Sequence, residues 1–154
     1  LVDYEDFCGI SAAGASEGAD ADGRVMPPPG DGGWAGVREL HPAELARRVA
    51  EGRIFEDGAG KMNLSAVDTG AEVLCVSQFT LYGDMRRGRR PSFDRAAPGP
   101  VAQPLFDRFC ESIEHTGLRC ARGVFGAEME VGLVNAGPVP LVLDSEELER
   151  PRRA

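Results

Sequence analysis

The chain has 154 residues, enough for one domain that buries about two thirds of the surface its unfolded form exposes. Its net charge is −8, but residues 1–35 hold seven acids against one arginine, so the total does not exclude a nucleic-acid partner. No apolar stretch approaches the ~20 residues of a membrane-spanning helix, and no signal-peptide pattern opens the chain, so we expect a soluble cytoplasmic protein with no membrane partner.

The first part of the chain is unlike the rest. Residues 9–36 consist mainly of Gly, Ala, Ser, Asp and Pro and have neither helical nor strand periodicity. We expect residues 1–40 to be an atypical, largely irregular segment, in which residues 1–11 are a candidate remnant strand. For residues 9–36 we expect a mobile loop, and an ordered functional lid is the alternative. A domain at residues 41–145 and a charged tail at residues 146–154 would follow.

The next elements are predicted from local signals. Pro42 in a first helical turn, followed by apolar Leu45 and Val49, predicts a short helix that ends at Gly52. Turn residues at 57–60 then separate two strand-like segments, which predicts a hairpin or a tight reversal. Residues 72–82 begin apolar and end polar, as expected of a central strand whose end leaves the core.

The second half combines one helix with strand patterns. Apolar residues recur at helical spacing from Leu105 to Ile113 and predict a helix that ends by Gly117. Alternating residues over 129–133 predict a half-buried strand, and residues 139–143 predict another. This order of elements predicts an α+β domain of mainly antiparallel or mixed strands.

The cysteines and histidines show no sequence pattern of a metal site or a catalytic triad. The four cysteines, at positions 8, 75, 110 and 120, show no Cys-x-x-Cys spacing, and three lie in apolar patterns where a thiol acts as a small core residue. With two histidines and no clustered ligands, neither a metal site nor a cofactor is predicted. His41 precedes a helix start and His115 lies in a last helical turn, so neither predicts a catalytic triad.

A polar strand end precedes a cationic loop. The strand end carries Ser77, Gln78, Phe79 and Thr80, and four arginines follow within residues 86–90. From these residues alone the favoured explanation is structural: Ser77 and Thr80 as strand hydroxyls, Gln78 as a surface amide and Phe79 as a core ring. The arginines are explained either as a solvated loop or as a local potential that steers a phosphate backbone.

Three segments together resemble a known family. Residues 77–81 read SQFTL, residues 123–130 read GVFGAEME and residues 135–140 read NAGPVP. This pattern is similar to that of the D-aminoacyl-tRNA deacylases. The resemblance implies a barrel-like sheet with two helices, a homodimer with the site at the subunit interface, aminoacylated tRNA as partner, and hydrolysis of the ester of D-aminoacyl-tRNA and of mischarged glycyl-tRNA.

The resemblance also implies residue roles. The catalytic residues would be Ser77, Gln78, Phe79 and Thr80, which act largely through main-chain groups while the tRNA ribose activates water. Thr80 as a covalent nucleophile is the alternative. Gly137 and Pro138, joined by a cis bond, would exclude L side chains from the partner subunit's site. The substrate-binding residues would be Met129, Arg86, Arg87, Arg89 and Arg90.

The chain departs from the family pattern in two places. Pro140 stands where the family has a threonine, which removes a hydroxyl and a main-chain donor. The family's first strands, with an arginine that braces the Gly-Pro motif, have no counterpart, which suggests a fragment or an insertion at about residues 11–40. These departures support a second hypothesis: a catalytically impaired member that binds tRNA ends or dimerises.

Overall fold

The computed structural model describes residues 42–86, 88–94, 96–135 and 139–143. The expectations for the irregular N-terminal segment, the remnant strand and the charged tail therefore lie outside the described residues. Within these ranges the elements are α1 (Pro42–Glu51), β1 (Phe55–Glu56), β2 (Met62–Leu64), α2 (Ala66–Thr69), β3 (Val73–Cys75), a 3-10 helix (Phe79–Tyr82), α3 (Gly99–His115) and β4 (Cys120–Arg122). None of the described helices is long and apolar enough to span a bilayer.

Helix α1 forms as predicted, opening at Pro42 and ending before Gly52. Its outer face is laced by ion pairs: the Glu44 carboxylate accepts from Arg47 at 2.9 Å and from Arg48 at 2.9 Å. The hydrogen bond from Arg47 lowers the pKa of Glu44. The inner face carries buried Ala46 and Ala50, whose small side chains allow α1 and α3 to approach closely.

The predicted hairpin is confirmed, because β1 pairs with β2 in antiparallel sense. Asp57 organises its turn: one carboxylate oxygen accepts from the main-chain N–H groups of Ala59 at 2.8 Å and Lys61 at 3.1 Å. The other accepts from the Asn63 side chain at 2.6 Å. These bonds lower the pKa of Asp57, Asn63 being the largest cause. The aspartate thereby ties the turn to β2.

The expectation of two helices is wrong for the described residues, since a one-turn helix, α2, adds a third. The Asp68 N–H donates to the Ser65 hydroxyl at 3.1 Å, and the Ser65 N–H donates to the Asp68 carboxylate at 2.9 Å. This reciprocal capping box satisfies two donors that a helix start leaves open. The Ser65 hydroxyl also donates to the Asp68 carboxylate at 2.6 Å, and this bond is the main reason why the pKa of Asp68 is lowered. The Ser-x-x-Asp spacing was the signal for α2.

A parallel pair, β3 and β4, flanks the main helix in the chain. Val73 pairs with Cys120 and Cys75 with Arg122, and the Gly123 N–H donates to the Cys75 carbonyl at 2.8 Å. The prediction of one strand over residues 72–82 is wrong: β3 ends at Cys75 and residues 79–82 form the 3-10 helix. The ladder ends at Gly123, and a strand cannot continue without a partner.

Helix α3 supplies most of the described core. Phe106, Phe109, Cys110 and Ile113 are buried on one face, as their spacing predicts. They form one cluster with the buried alanines of α1, with β3 and with Leu118. The core therefore lies directly beneath the strand that leads to Ser77.

The strands predicted over 129–133 and 139–143 are wrong for the described chain, which forms no strand there. Apolar side chains of these segments are exposed, among them Val131 at 52% and Val142 at 90%. No other described segment pairs with them, and an unpaired segment does not form a ladder. The described sheets are two open pairs, β1 with β2 and β3 with β4. The domain is α+β with strands of mixed sense, as expected, and these pairs do not close a barrel.

Candidate functional site

The predicted catalytic residues follow β3 and lie at the surface. Ser77 is half-buried, whereas Gln78, Phe79 and Thr80 are exposed, Phe79 with 56% of its surface. The chain leaves β3, passes Gln78 in an extended conformation and then turns into the 3-10 helix. The end of β3 therefore presents main-chain and side-chain groups together, because a strand pinned by β4 fixes where the turn begins.

A hydrogen bond links two of these side chains, since the Gln78 amide nitrogen donates to the Thr80 hydroxyl oxygen. An amide N–H cannot take up a proton, so this neighbour does not activate the Thr80 hydroxyl. Among the described residues, the histidine is His115, exposed at the end of α3 rather than part of this segment. The segment has no imidazole contact in the described chain that would make a triad.

An aromatic pair fixes the 3-10 helix. The Phe79 and Phe93 rings meet edge to face with centroids 4.9 Å apart. Gly83 ends the helix, donating its N–H to the Thr80 carbonyl at 2.9 Å. A Cβ at Gly83 would lie 3.0 Å from the Thr80 oxygen and 3.1 Å from the Phe93 ring. Glycine is thus required for close packing between the site segment and the residues after the loop.

The cationic loop that carries the arginines of residues 86–90, here called the arginine loop, is closed by two main-chain hydrogen bonds. The Asp84 N–H donates to Ser92 at 2.8 Å and the Ser92 N–H donates back at 2.9 Å. Arg86 lies 81% exposed and pairs with the Asp84 carboxylate, which raises the Arg86 pKa. Arg89 and Arg90 are exposed. Arg87 lies outside the described residues.

Met129 comes to the same strand end from elsewhere in the chain. A Cβ at Gly123 would meet the Met129 methyl at 3.3 Å and its sulfur at 3.5 Å, and Gly123 is bonded to Cys75, two residues before Ser77. Met129 is 38% exposed, so part of its side chain is open. Gly137 and Pro138 lie outside the described residues, and their role stays a prediction.

Comparison with known proteins identifies the family of the chain. The family described as D-Tyr-tRNA(Tyr) deacylase matches residues 37–144, a span that includes the strand end, the arginine loop and residues 135–140. The chain belongs to the D-Tyr-tRNA(Tyr) deacylase family. Family membership adds information about residues 77–81 that their sequence alone did not provide.

Individual relatives extend the match. The D-aminoacyl-tRNA deacylase of Chloroflexus aurantiacus is 54% identical over 149 residues, covering 94% of this chain and 89% of that protein. A solved structure titled c-Myc DNA Unwinding Element Binding Protein is 36% identical, with a TM-score of 0.59 over 66% of this chain and 70% of its own. A probable eukaryotic D-amino acid tRNA deacylase, 17% identical, shares the fold with a TM-score of 0.57, over 79% of this chain and 75% of its own.

The fold of this deacylase-family member also brings together residues that the sequence left apart. The sulfurs of Cys75, Cys110 and Cys120 lie within 4.8 Å of one another. They were expected to be separate core thiols, because positions 75, 110 and 120 share no metal-site spacing. Their grouping depends on the packing of β3, α3 and β4 against one another, and no local sequence pattern predicts this packing.

Proposed function

We propose that the chain hydrolyses the ester bond of D-aminoacyl-tRNA, releasing a free D-amino acid and tRNA in translation quality control. Family membership is the observation that carries the proposal, and the SQFTL segment exposed after β3 agrees with it. Water adds to the ester carbonyl carbon, the bond to the ribose oxygen breaks, and that oxygen leaves with a proton. Glycyl-tRNA is also a substrate, since a site that works by exclusion does not reject an achiral residue.

The proposed catalytic residues are Ser77, Gln78, Phe79 and Thr80. The main-chain amides of Gln78 and Phe79 polarise the carbonyl as charge develops on its oxygen. The Thr80 hydroxyl is not the nucleophile in this proposal, because its hydrogen-bond partner Gln78 cannot serve as a base. Activation of water by the tRNA's own ribose hydroxyl accounts for a site segment that has no imidazole contact among the described residues.

Chirality is selected in this proposal by Gly137 and Pro138, whose carbonyls fill the space that an L side chain requires. They act on the site of a second subunit, so the working form is a homodimer whose sheets close into a barrel-like core. Support comes from the exposed apolar side chains of the neighbouring segments, including Leu133 at 46% and Leu141 at 64%. Apolar surface of this kind is what a subunit interface or a further strand covers.

The aminoacylated tRNA end would be held by Met129 and by the arginine loop, in a cytoplasmic protein. Exposed Arg89 and Arg90 place positive charge on the loop that follows the site segment, next to Arg86, whose charge is paired with the Asp84 carboxylate. Such charge attracts a phosphate backbone without reading its sequence. Arg87 lies outside the described residues and is included in this proposal only because it stands between Arg86 and Arg89 in the sequence.

The decisive experiment compares D-Tyr-tRNA with L-Tyr-tRNA. We expect release of label from the D ester at least about a hundredfold faster than from the L ester, because loss of the required geometry costs about this much. Glycyl-tRNA should be cleaved as well. The measurement is loss of radiolabelled amino acid from each tRNA under matched conditions.

Equal rates on both esters would contradict the proposal. Tight binding of both charged tRNAs without turnover would replace it with the impaired-member hypothesis, which rests on Pro140.

The arginine loop makes a separate prediction. The double substitution Arg89→Gln with Arg90→Gln should weaken binding of uncharged tRNA and reduce the slope of log K against log salt by about 1.5, since each lost phosphate contact removes a little under one unit. Fluorescence anisotropy between 50 and 200 mM salt, the range over which such contacts are screened, measures this slope.

The matched control is Arg53→Gln with Arg108→Gln. These two arginines are also exposed, on other parts of the domain, and their loss changes the net charge equally. If both double variants alter the slope alike, total charge rather than the loop accounts for binding.

A further inference from the structure

A cluster of three thiols lies in the core beneath the site. Cys75 is on β3, Cys110 on α3 and Cys120 on β4, and their sulfurs all lie within 4.8 Å of one another. The side chains of Cys75 and Cys110 are fully buried, while Cys120 is partly open. Three separate elements therefore direct one soft donor each to a common point.

The contacts within the cluster are close but not bonded. The Cys120 and Cys75 sulfurs are 3.5 Å apart. Burial raises the pKa of Cys120, and the contact between Cys75 and Cys110 raises the pKa of Cys75 while it lowers that of Cys110. The cluster is therefore defined by its geometry: three closely spaced sulfurs that are largely shielded from water.

The spacing fits metal coordination. A metal–sulfur bond of about 2.3 Å, as in zinc thiolates, puts three sulfurs about 4 Å apart around a trigonal ion. The observed separations, from 3.5 Å to at most 4.8 Å, bracket this value.

We propose that Cys75, Cys110 and Cys120 bind one soft metal ion, with Cu(I) as the ion that fits best. Thiolates select soft ions such as Cu(I) and Zn(II). Structural zinc sites, however, are almost always four-coordinate. In the described part of the chain this group has three members and Cys110 and Cys75 are closed to solvent, which suits a three-coordinate ion.

Binding would have two physical consequences. The thiols must deprotonate, so protons leave to solvent as the ion enters, and Cys120 offers the route because it is the partly open member. The ion would then join β3, α3 and β4, so that binding stabilises the folded chain in proportion to ion concentration. One of the three ligands, Cys75, lies two positions before Ser77 in the sequence, so the metal would bind to the strand that leads to the site segment.

The test is an anaerobic Cu(I) titration of the reduced full chain against bicinchoninate. We expect one Cu(I) per chain and a melting temperature raised by about 5 °C or more, because ligand at a large excess over its Kd stabilises the bound state. Cys110→Ala and Cys120→Ala should each lose at least about tenfold in affinity. Circular dichroism checks folding, and Cys120→Ala removes a partly exposed side chain, so one of the two variants is suited to fold even if the other does not.

Cys8→Ser is the matched control, because it removes the fourth thiol without touching the cluster residues, and it should retain wild-type binding. Equal loss with Cys8→Ser would overturn the three-sulfur site. So would unchanged Cu(I) affinity in both cluster variants, which would identify the cysteines as ordinary core residues. Tighter 1:1 binding of Zn(II) in a parallel titration would overturn the assignment to a three-coordinate ion.

Discussion

Gly83→Ala is expected to reduce deacylation of D-aminoacyl-tRNA by roughly tenfold, which is less than the about hundredfold cost of a misplacement near 1 Å, because the neighbouring atoms must give by only a few tenths of an ångström. The added methyl would meet the Thr80 carbonyl at 3.0 Å and the Phe93 ring at 3.1 Å. Gly83 has a φ of −61°, which alanine also adopts, so the effect is one of space and not of backbone strain. Displacement of Phe93 releases Phe79, whose ring packs edge to face against it.

The matched control is Gly58→Ala in the hairpin turn, where an added Cβ meets no atom within 4 Å. It should keep wild-type activity. Thermal melting distinguishes a local shift from loss of the fold, because overpacking at Gly83 should cost only about 1–3 kcal/mol. Full activity in Gly83→Ala would show that deacylation does not depend on the geometry of the 3-10 helix.

Phe109→Ala should destabilise the domain by about 3–5 kcal/mol, the usual cost of removing a buried aromatic ring. Phe109 is 2% exposed and belongs to the cluster that joins α1, α3 and β3. The loss combines transfer of the ring from water with the cavity left behind, since neighbouring side chains relax only partly. A fall of about 10 °C in melting temperature, measured by circular dichroism, would correspond to this loss in a chain of this size.

Val124→Ala provides the comparison, because Val124 is 67% exposed and its truncation should change stability by less than about 0.5 kcal/mol. A similar fall in both variants would show that the described core does not determine stability. Urea denaturation of the two variants should give equal slopes against denaturant if the denatured ensembles are alike.

Local signals sufficed for the helices that carry the core. Pro42 and Gly52 bracket α1, and the apolar spacing from Leu105 to Ile113 gives the buried face of α3. These features act within a few residues, so they can be interpreted without knowledge of the fold. The hairpin was predicted for the same reason, because Asp57 and its neighbours form a turn that needs no distant partner.

Local sequence signals did not predict where the strands begin and end. β4 consists of Cys120, Ala121 and Arg122, a set without alternation that becomes a strand because β3 lies beside it. Conversely, residues 129–133 alternate clearly but no described segment pairs with them. Sequence alternation indicates which faces a strand would have, while pairing depends on a partner that is distant in sequence.

The candidate site also has features that local sequence indicates and contacts that it does not. Residues 77–80 and the arginine loop were singled out because they are contiguous and match a family motif beside a strand, and their roles stay predictions. The contact of Phe79 with Phe93 spans the whole loop, and the grouping of Cys75, Cys110 and Cys120 joins three elements. Such contacts arise from tertiary packing and leave no periodic mark in the sequence.

The parallel pairing of β3 with β4 also sets the order in which the site can assemble. Cys75 and Cys120 are 45 positions apart, so the strand that precedes Ser77 gains its partner only after a long loop has closed. Long-range closure of this kind is slow relative to helix formation, because chain entropy is lost before contacts compensate for it. During synthesis, residues 77–80 would therefore emerge well before the strand that fixes them, and the active arrangement should be among the last parts of the domain to form.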